Sequence, residues 1–109
     1  MPAQTQTHRC PIAETLKLIS GKWKAVILYR VSRYQPVRFG QLQKLIPDCG
    51  RRMLALQLKS LEEAGLLAKK VYDVQPPKTE YRLTAKGESL LPMIQQMQDW
   101  SADQPQDAE

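Results

Sequence analysis

Residues 40–83 read GQLQKLIPDCGRRMLALQLKSLEEAGLLAKKVYDVQPPKTEYRL, and this stretch decides the fold. Its first half carries apolar residues at helical spacing over residues 40–46 and again over residues 50–64, with Pro47 and Asp48 as a turn between them. Gly65 is placed to end the second helix as a left-handed cap. The apolar positions are Leu42, Leu45 and Ile46 in the first helix and Leu54, Leu58 and Leu61 in the second. Two helices joined by so short a turn indicate a helix-turn-helix.

The second half of the stretch predicts a β-hairpin directly after this pair. Residues 66–72 and 79–83 are typical of strands, the second because Tyr81 and Leu83 alternate with polar neighbours. Residues 73–78 form a short polar connection with Pro76 and Pro77 at its tip. A hairpin that follows a helix-turn-helix is the wing of a winged-helix domain.

The flanking sequence completes this arrangement. We expect helices over residues 11–20 and 22–34, a short strand over 37–39, and one last helix from an N-cap at Thr84 to about Trp100. The predicted fold class is α+β, a winged helix-turn-helix that is mostly helical with a two-stranded wing. Residues 10–100 form the domain, residues 1–9 a flexible arm and residues 101–109 an acidic flexible tail.

Charge and composition narrow the classes of function. Residues 1–100 hold all 16 basic side chains and 8 of the 11 acidic ones, an excess that attracts polyanions. No stretch approaches the ~20 apolar residues that span a bilayer, and residues 1–9 are too polar for a signal peptide, so a cytoplasmic protein is expected. Two cysteines and one histidine are too few for a closed zinc site. We therefore expect no metal, no cofactor and no enzymatic activity.

The helix over residues 50–64 is the predicted recognition helix. With its leucines inward, its opposite face and its first turn carry the side chains that would enter a major groove of double-stranded DNA. These are Arg51, Arg52, Leu56 and Lys59. Arginine can bind guanine through two hydrogen bonds, and a leucine can touch a thymine methyl. The competing interpretation is a solvated basic helix face.

Two further groups of residues lie where a winged helix contacts the DNA backbone. Arg38 and Gln41 begin the helix over residues 40–46 and could bind a phosphate. The hairpin carries Lys69, Lys70 and Lys78, close to Arg82, which suit phosphate or minor-groove contact. Strand-edge lysines that only discourage edge-to-edge pairing are the alternative.

Several motifs in the right order resemble the HxlR-type winged-helix regulators, over roughly residues 10–100. The motifs are CP at 10–11, LISGKW at 18–23, RFGQL at 38–42, RML at 52–54, LEEAGL at 61–66, PPK at 76–78, EY at 80–81, LTAKG at 83–87 and SLLP at 89–92. One departure is Gly50, where the family usually has a serine that caps the recognition helix. Either this helix begins less firmly here, or Asp48 caps it.

The resemblance implies a homodimeric bacterial transcription regulator whose first and last helices form the dimer interface. The apolar side chains of the last helix agree, because they cover more than one narrow stripe. The implied interface residues are Ile12, Leu16, Leu90, Leu91, Ile94, Met97 and Trp100. Two-fold symmetry then predicts a pseudo-palindromic operator. The alternative is that the last helix only closes the core of a monomer.

The resemblance also implies that a cysteine can sense a small electrophile or oxidant. Cys10 matches the family's sensor cysteine. It lies at the start of a helix and next to Arg9, and a helix N-terminus and a neighbouring cation both favour a thiolate. A small buried side chain at the subunit seam is the alternative for Cys10, and a packed, inert thiol is favoured for Cys49. A bond between Cys10 and Cys49 would also require that the two cysteines lie close together.

These residues favour a sequence-specific regulator, with repression preferred because nothing resembles a separate activation surface. The alternative class is a winged helix used for protein–protein contact, which would show little salt-dependent affinity for DNA. A small thiol enzyme is disfavoured because no second catalytic group accompanies either cysteine.

Overall fold

The computed structural model describes residues 10–105. The helices are α1 (Pro11–Ile19), α2 (Lys24–Tyr34), α3 (Phe39–Leu45), α4 (Arg51–Glu63), α5 (Ala85–Ser89) and α6 (Leu91–Ala102), and the strands are β1 (Val37–Arg38), β2 (Leu67–Tyr72) and β3 (Lys78–Leu83). The order of elements confirms the predicted winged helix-turn-helix, with α3 and α4 as the helix-turn-helix and β2 and β3 as the wing.

The wing belongs to a three-stranded antiparallel sheet, ordered β1-β3-β2. The short strand β1 pairs Val37 with Tyr81, and β2 pairs Leu67 with Leu83. The two-stranded sheet predicted above therefore gains a third strand. Because β1 has only two residues, it adds little surface to the sheet. Its pairing with β3, directly before α3 begins, connects the start of the helix-turn-helix to the wing.

The core lies between α2, the helix-turn-helix and the inner face of the sheet. The α4 leucines at i, i+4 and i+7 are all buried, as their spacing predicts. Truncation of a core leucine to alanine typically lowers the free energy of unfolding by ~2–5 kcal/mol. The fully buried aliphatic side chains are Ile27, Leu28, Val31, Val37, Leu42, Leu54, Leu58, Leu61 and Leu66.

A glycine turn and a threonine cap join α4 to the C-terminal helices. Gly65 has φ +79°, which confirms the predicted left-handed cap. Thr84 accepts a hydrogen bond from the Gly87 amide at 3.0 Å and donates one to the Gly65 carbonyl at 2.6 Å. The predicted N-cap at Thr84 thus also fixes α5 against the end of the recognition helix.

The single last helix predicted from Thr84 to Trp100 is wrong in one respect. The structure breaks it at Leu90 into α5 and α6, with Pro92 in the first turn of α6. A proline has no amide hydrogen to donate and is tolerated in the first turn of a helix, so a new helix begins there. α6 continues to Ala102, two residues past the predicted domain boundary, whereas the predicted arm (1–9) lies outside the described residues.

Candidate nucleic-acid interface

The start of α4 presents two adjacent arginines to solvent. Gly50 occupies the N-cap and has no side chain to accept a hydrogen bond, and within residues 10–105 Asp48 accepts none from the start of α4 in its place. Arg51 and Arg52 are both exposed, and so are Leu56 (56% exposed) and Lys59 farther along the helix. All four side chains predicted to face DNA from α4 are therefore free to do so.

Arg51 is held by two side chains of α3. Its guanidinium carbon lies 5.0 Å from the centre of the Phe39 ring, within the range of a cation–π interaction. Its Nη1 is 3.4 Å from Gln43 Oε1. A surface depression of about 540 Å³ is lined by Phe39, Arg51, Arg52 and Ala55. Neither Phe39 nor Gln43 was predicted as a site residue, because nothing in the spacing shows that α3 reaches the first turn of α4.

Arg38 and Gln41 lie at the start of α3, as predicted. The amide oxygen of Gln41 accepts a hydrogen bond from the Arg38 backbone at 3.1 Å, so it serves as a helix cap. Only the side-chain NH₂ of Gln41 is left for a phosphate. Arg38 is exposed and stands opposite Glu80 in the sheet.

The wing separates lysines that were predicted to lie together. Side chains alternate between the two faces of a strand, and Lys70 stands opposite Glu80 while Lys69 stands opposite the buried Tyr81. Lys70 therefore shares the outer face with Lys78 and Arg82, and the expected grouping of Lys69 with them is wrong. Lys69 belongs to the opposite face, although its own side chain is exposed.

The carboxylate of Glu80 contacts two neighbouring side chains on the outer face of the wing. Lys78 Nζ is 3.5 Å from Glu80 Oε2, and the Tyr72 hydroxyl donates to Glu80 Oε1 at 2.8 Å. The ammonium groups of Lys70 and Lys78 lie 4.8 and 4.7 Å from the centre of the Tyr72 ring. The hydrogen bond from Tyr72, and after it the charge of Lys78, hold the pKa of Glu80 below its ordinary value. Glu80 is thus ionised at neutral pH and offsets part of the wing's positive charge.

A second surface, on α1, α2 and α6, is apolar and exposed. We call this surface the apolar face, and its members are Ile12 (73% exposed), Leu16 (53%), Val26 (38%), Met93 (36%), Met97 (43%) and Trp100 (68%). An apolar cleft of about 280 Å³ runs between α1 and α6 within it. Val26 and Met93 were not among the residues predicted for the dimer interface, although both follow the helical period of their neighbours.

Three of the residues predicted for the dimer interface are more buried in the single subunit than the members of the apolar face. Ile94 is only 5% exposed and packs in the core of its own subunit, although it also lines a surface cleft with Val26 and Met97. Leu90 and Leu91 are half-buried against the same core. These three side chains offer a partner less surface than the apolar face does, and their place in a dimer interface stays a prediction.

The two cysteines differ in accessibility. Cys10 is exposed at the N-cap of α1, whereas Cys49 is 1% exposed in the turn before α4. Burial raises the pKa of the Cys49 thiol and disfavours its thiolate, as a packed, inert thiol would require. Within residues 10–105, no cluster of three or more metal-ligating side chains occurs, and no helix is long and apolar enough to cross a membrane.

Comparison with known proteins supplies the family. A sequence profile described as HxlR-like helix-turn-helix matches residues 18–109. The chain belongs to the HxlR-like helix-turn-helix family. Among curated relatives of this HxlR-like chain, the HTH-type transcriptional regulator YdeP of Bacillus subtilis is 45% identical over 91 residues, which are 84% of this chain and 70% of YdeP. The HxlR-like chain is accordingly a DNA-binding transcriptional regulator and not an enzyme.

Two solved structures share this HxlR-like fold closely. The redox regulator HypR in its oxidized form superposes with a TM-score of 0.84 at 38% identity, covering 90% of this chain and all (100%) of HypR. The reduced form of the transcriptional regulator YodB from B. subtilis gives a TM-score of 0.75 at 32% identity, covering 91% and 99% of the two chains.

Proposed function

We propose that this HxlR-like regulator binds a pseudo-palindromic DNA operator as a homodimer and represses transcription in the cytoplasm of a bacterium. The observation that carries the proposal is the pair of exposed arginines in the first turn of α4, where helix-turn-helix proteins contact base edges. The exposed cations of the wing supply phosphate contacts beside it.

Support for the dimer comes from the apolar face. Six large apolar side chains, each more than a third exposed, lie together on α1, α2 and α6. Monomeric proteins rarely leave so contiguous an apolar surface in water. A second copy of the chain, related by two-fold symmetry, would cover it and would set two recognition helices about one DNA turn apart.

Support for sensing of an oxidant or electrophile comes from Cys10. Its thiol is exposed beside the apolar face, so a change there would alter the packing of the two subunits. The similar protein HypR is described as a redox regulator. Because Cys49 is buried, a bond between Cys10 and Cys49 would first require local opening of the turn before α4. We therefore propose Cys10 as the reactive thiol.

A binding selection tests the proposal as a whole. Reduced protein is mixed with sheared genomic DNA and excess nonspecific competitor, and the retained fragments are sequenced and then re-tested with diamide or a quinone. An enriched palindrome supports the regulator, and loss of binding on oxidation that is absent in Cys10→Ser supports the sensor. If no sequence is enriched in either redox state, the alternative of a protein-interaction module replaces the proposal.

Arg52→Ala is expected to lower specific operator affinity by ~1–3 kcal/mol, because its guanidinium would otherwise form two hydrogen bonds to a base. Affinity is measured on the selected operator and on single-base variants of it. The variant should discriminate less at one base pair of each half-site. An unchanged base profile would exclude Arg52 from base reading.

Lys78→Ala and Glu80→Gln are expected to act in opposite directions. Loss of Lys78 should weaken binding to all sequences and flatten the slope of log K against log salt by about one unit. Glu80→Gln should strengthen binding by about threefold at low salt, because a carboxylate near phosphate is removed and Lys78 is released. Filter binding from 50 to 300 mM salt (roughly the range of counterion effects) measures both slopes. A base-specific effect of either change would contradict a phosphate-contacting wing.

A further inference from the structure

We propose that Arg51 reads one guanine in each half-site, and that Phe39 and Gln43 are positioning residues that hold its guanidinium for this task. The proposal rests on the operator binding proposed above. It adds the base that is read and two residues of α3 that determine specificity without touching DNA.

The contrast between two neighbouring arginines supports the proposal. Arg51 has a ring beneath its guanidinium at 5.0 Å and an amide oxygen 3.4 Å from its Nη1. Within residues 10–105, Arg52 makes no comparable hydrogen bond, ion pair or ring contact. Arg51 and Arg52 are the first two residues of α4, and both side chains are exposed. The restraint on Arg51 therefore comes from its contacts with α3 and not from burial. A restrained arginine loses less rotamer freedom when it binds.

The hydrogen-bonding geometry of the Arg51 guanidinium matches guanine better than the other bases. Guanine presents O6 and N7 as two acceptors in the major groove, and a planar guanidinium matches them with two parallel N–H donors. The contact to Gln43 uses one donor of Nη1, and no other residue within 10–105 accepts a hydrogen bond from the remaining N–H groups of Arg51. Ala55, one turn along α4 in the depression beside Arg51, leaves room for a base edge.

The competing role for the contacts of Arg51 with Phe39 and Gln43 is purely structural: they would only stabilise the packing of α3 against α4. We call this role a structural clip. Phe39 is half-buried and packs against the core, so its ring already contributes to stability. A clip would affect the thermal midpoint and lower affinity for all sequences alike. A positioned base reader would instead lose discrimination at one base pair, and only base-resolved binding separates the two roles.

The experiment is a binding selection on an operator library randomised in both half-sites, with thermal unfolding of each protein as a folding control. We expect Arg51→Lys to lose about 5- to 100-fold of its preference for guanine at one position, since lysine has no planar fork. Gln43→Ala and Phe39→Leu should lose about two- to fivefold at that same position, and Phe39→Tyr should retain the preference because it keeps the ring. Arg33→Ala, which removes one positive charge from α2, is the matched control and should keep the whole base profile.

The outcomes distinguish this inference from the proposed function. If the wild-type protein enriches no sequence, the proposed operator binding fails. If the wild type enriches a palindrome but Arg51→Lys and Phe39→Leu keep its base preferences at every position, operator binding stands and the positioning role is overturned. Uniform loss of affinity in Gln43→Ala and Phe39→Leu, with lower thermal midpoints and an unchanged base profile, would assign Phe39 and Gln43 to a structural clip.

Discussion

Leu16→Asp is expected to convert the protein to a monomer and to weaken operator binding at least about a hundredfold. Leu16 is 53% exposed on the apolar face, so in a dimer the new carboxylate would be buried without a partner, at a cost of several kcal/mol. A monomer would bind one half-site with its single recognition helix and would lose the second recognition helix that the dimer places on the other half-site. Sedimentation velocity measures the oligomeric state, and fluorescence anisotropy with the selected operator measures the affinity.

The neighbouring residue on α1 offers a control for Leu16→Asp. Lys17 is exposed and lies away from the stripe of Ile12 and Leu16, so Lys17→Glu adds a carboxylate to the same helix outside the apolar face. Lys17→Glu should remain dimeric, and both variants should keep the helical circular dichroism of the parent. A stable dimer of Leu16→Asp would place the subunit interface on another surface.

The helix-turn-helix and the wing could be predicted because their signals are local. The leucines of α4 recur with the helical period, and Gly65 adopts the positive φ that its position after the helix suggests. The division of the last helix was missed because a proline near the start of a helix and a proline within one look alike in sequence. In the structure Leu90 packs against the core at the break between α5 and α6, and Pro92 lies in the first turn of α6.

Most residues predicted to contact DNA are arginines and lysines, and the structure adds the side chains that position them. Lys69 and Lys70 differ by one residue and therefore face opposite sides of the wing, which strict alternation along β2 could have shown. The partners of Arg51 could not be found this way. They depend on how closely α3 approaches α4, and that distance follows from tertiary packing and not from residue spacing.

Accessibility of the two thiols likewise required the fold. Both cysteines precede a helix in the sequence, and both have basic residues nearby. Cys10 is the N-cap residue of α1 and is exposed, whereas Cys49 is buried in the turn of the helix-turn-helix, where its amide donates a hydrogen bond to the Ile46 carbonyl. The same local pattern thus gives one reactive candidate and one core side chain.

Gly87→Ala is expected to lower the free energy of unfolding by about 3 kcal/mol, the upper part of the range for overpacked sites. A Cβ at this buried position would lie far inside van der Waals contact of the Leu66 carbonyl oxygen, and 3.3 Å from Leu83 Cδ2. The obstruction on the Leu66 side is backbone, and its carbonyl already accepts a hydrogen bond from the Thr84 amide at 3.1 Å. α5 must therefore move away from the junction that Thr84 fixes, and α6 moves with it.

Urea denaturation at fixed protein concentration measures this loss, with Gly40→Ala as the matched control. A Cβ at Gly40 meets no atom within 4 Å, and alanine is the better helix former, so the control should be as stable as the parent or more stable by up to about 1 kcal/mol. Because α6 carries Met93, Met97 and Trp100, Gly87→Ala should also weaken the dimer, whereas Gly40→Ala should not. If Gly87→Ala unfolds at the same urea concentration as Gly40→Ala, then α5 does not pack against Leu66 as closely as the structure shows.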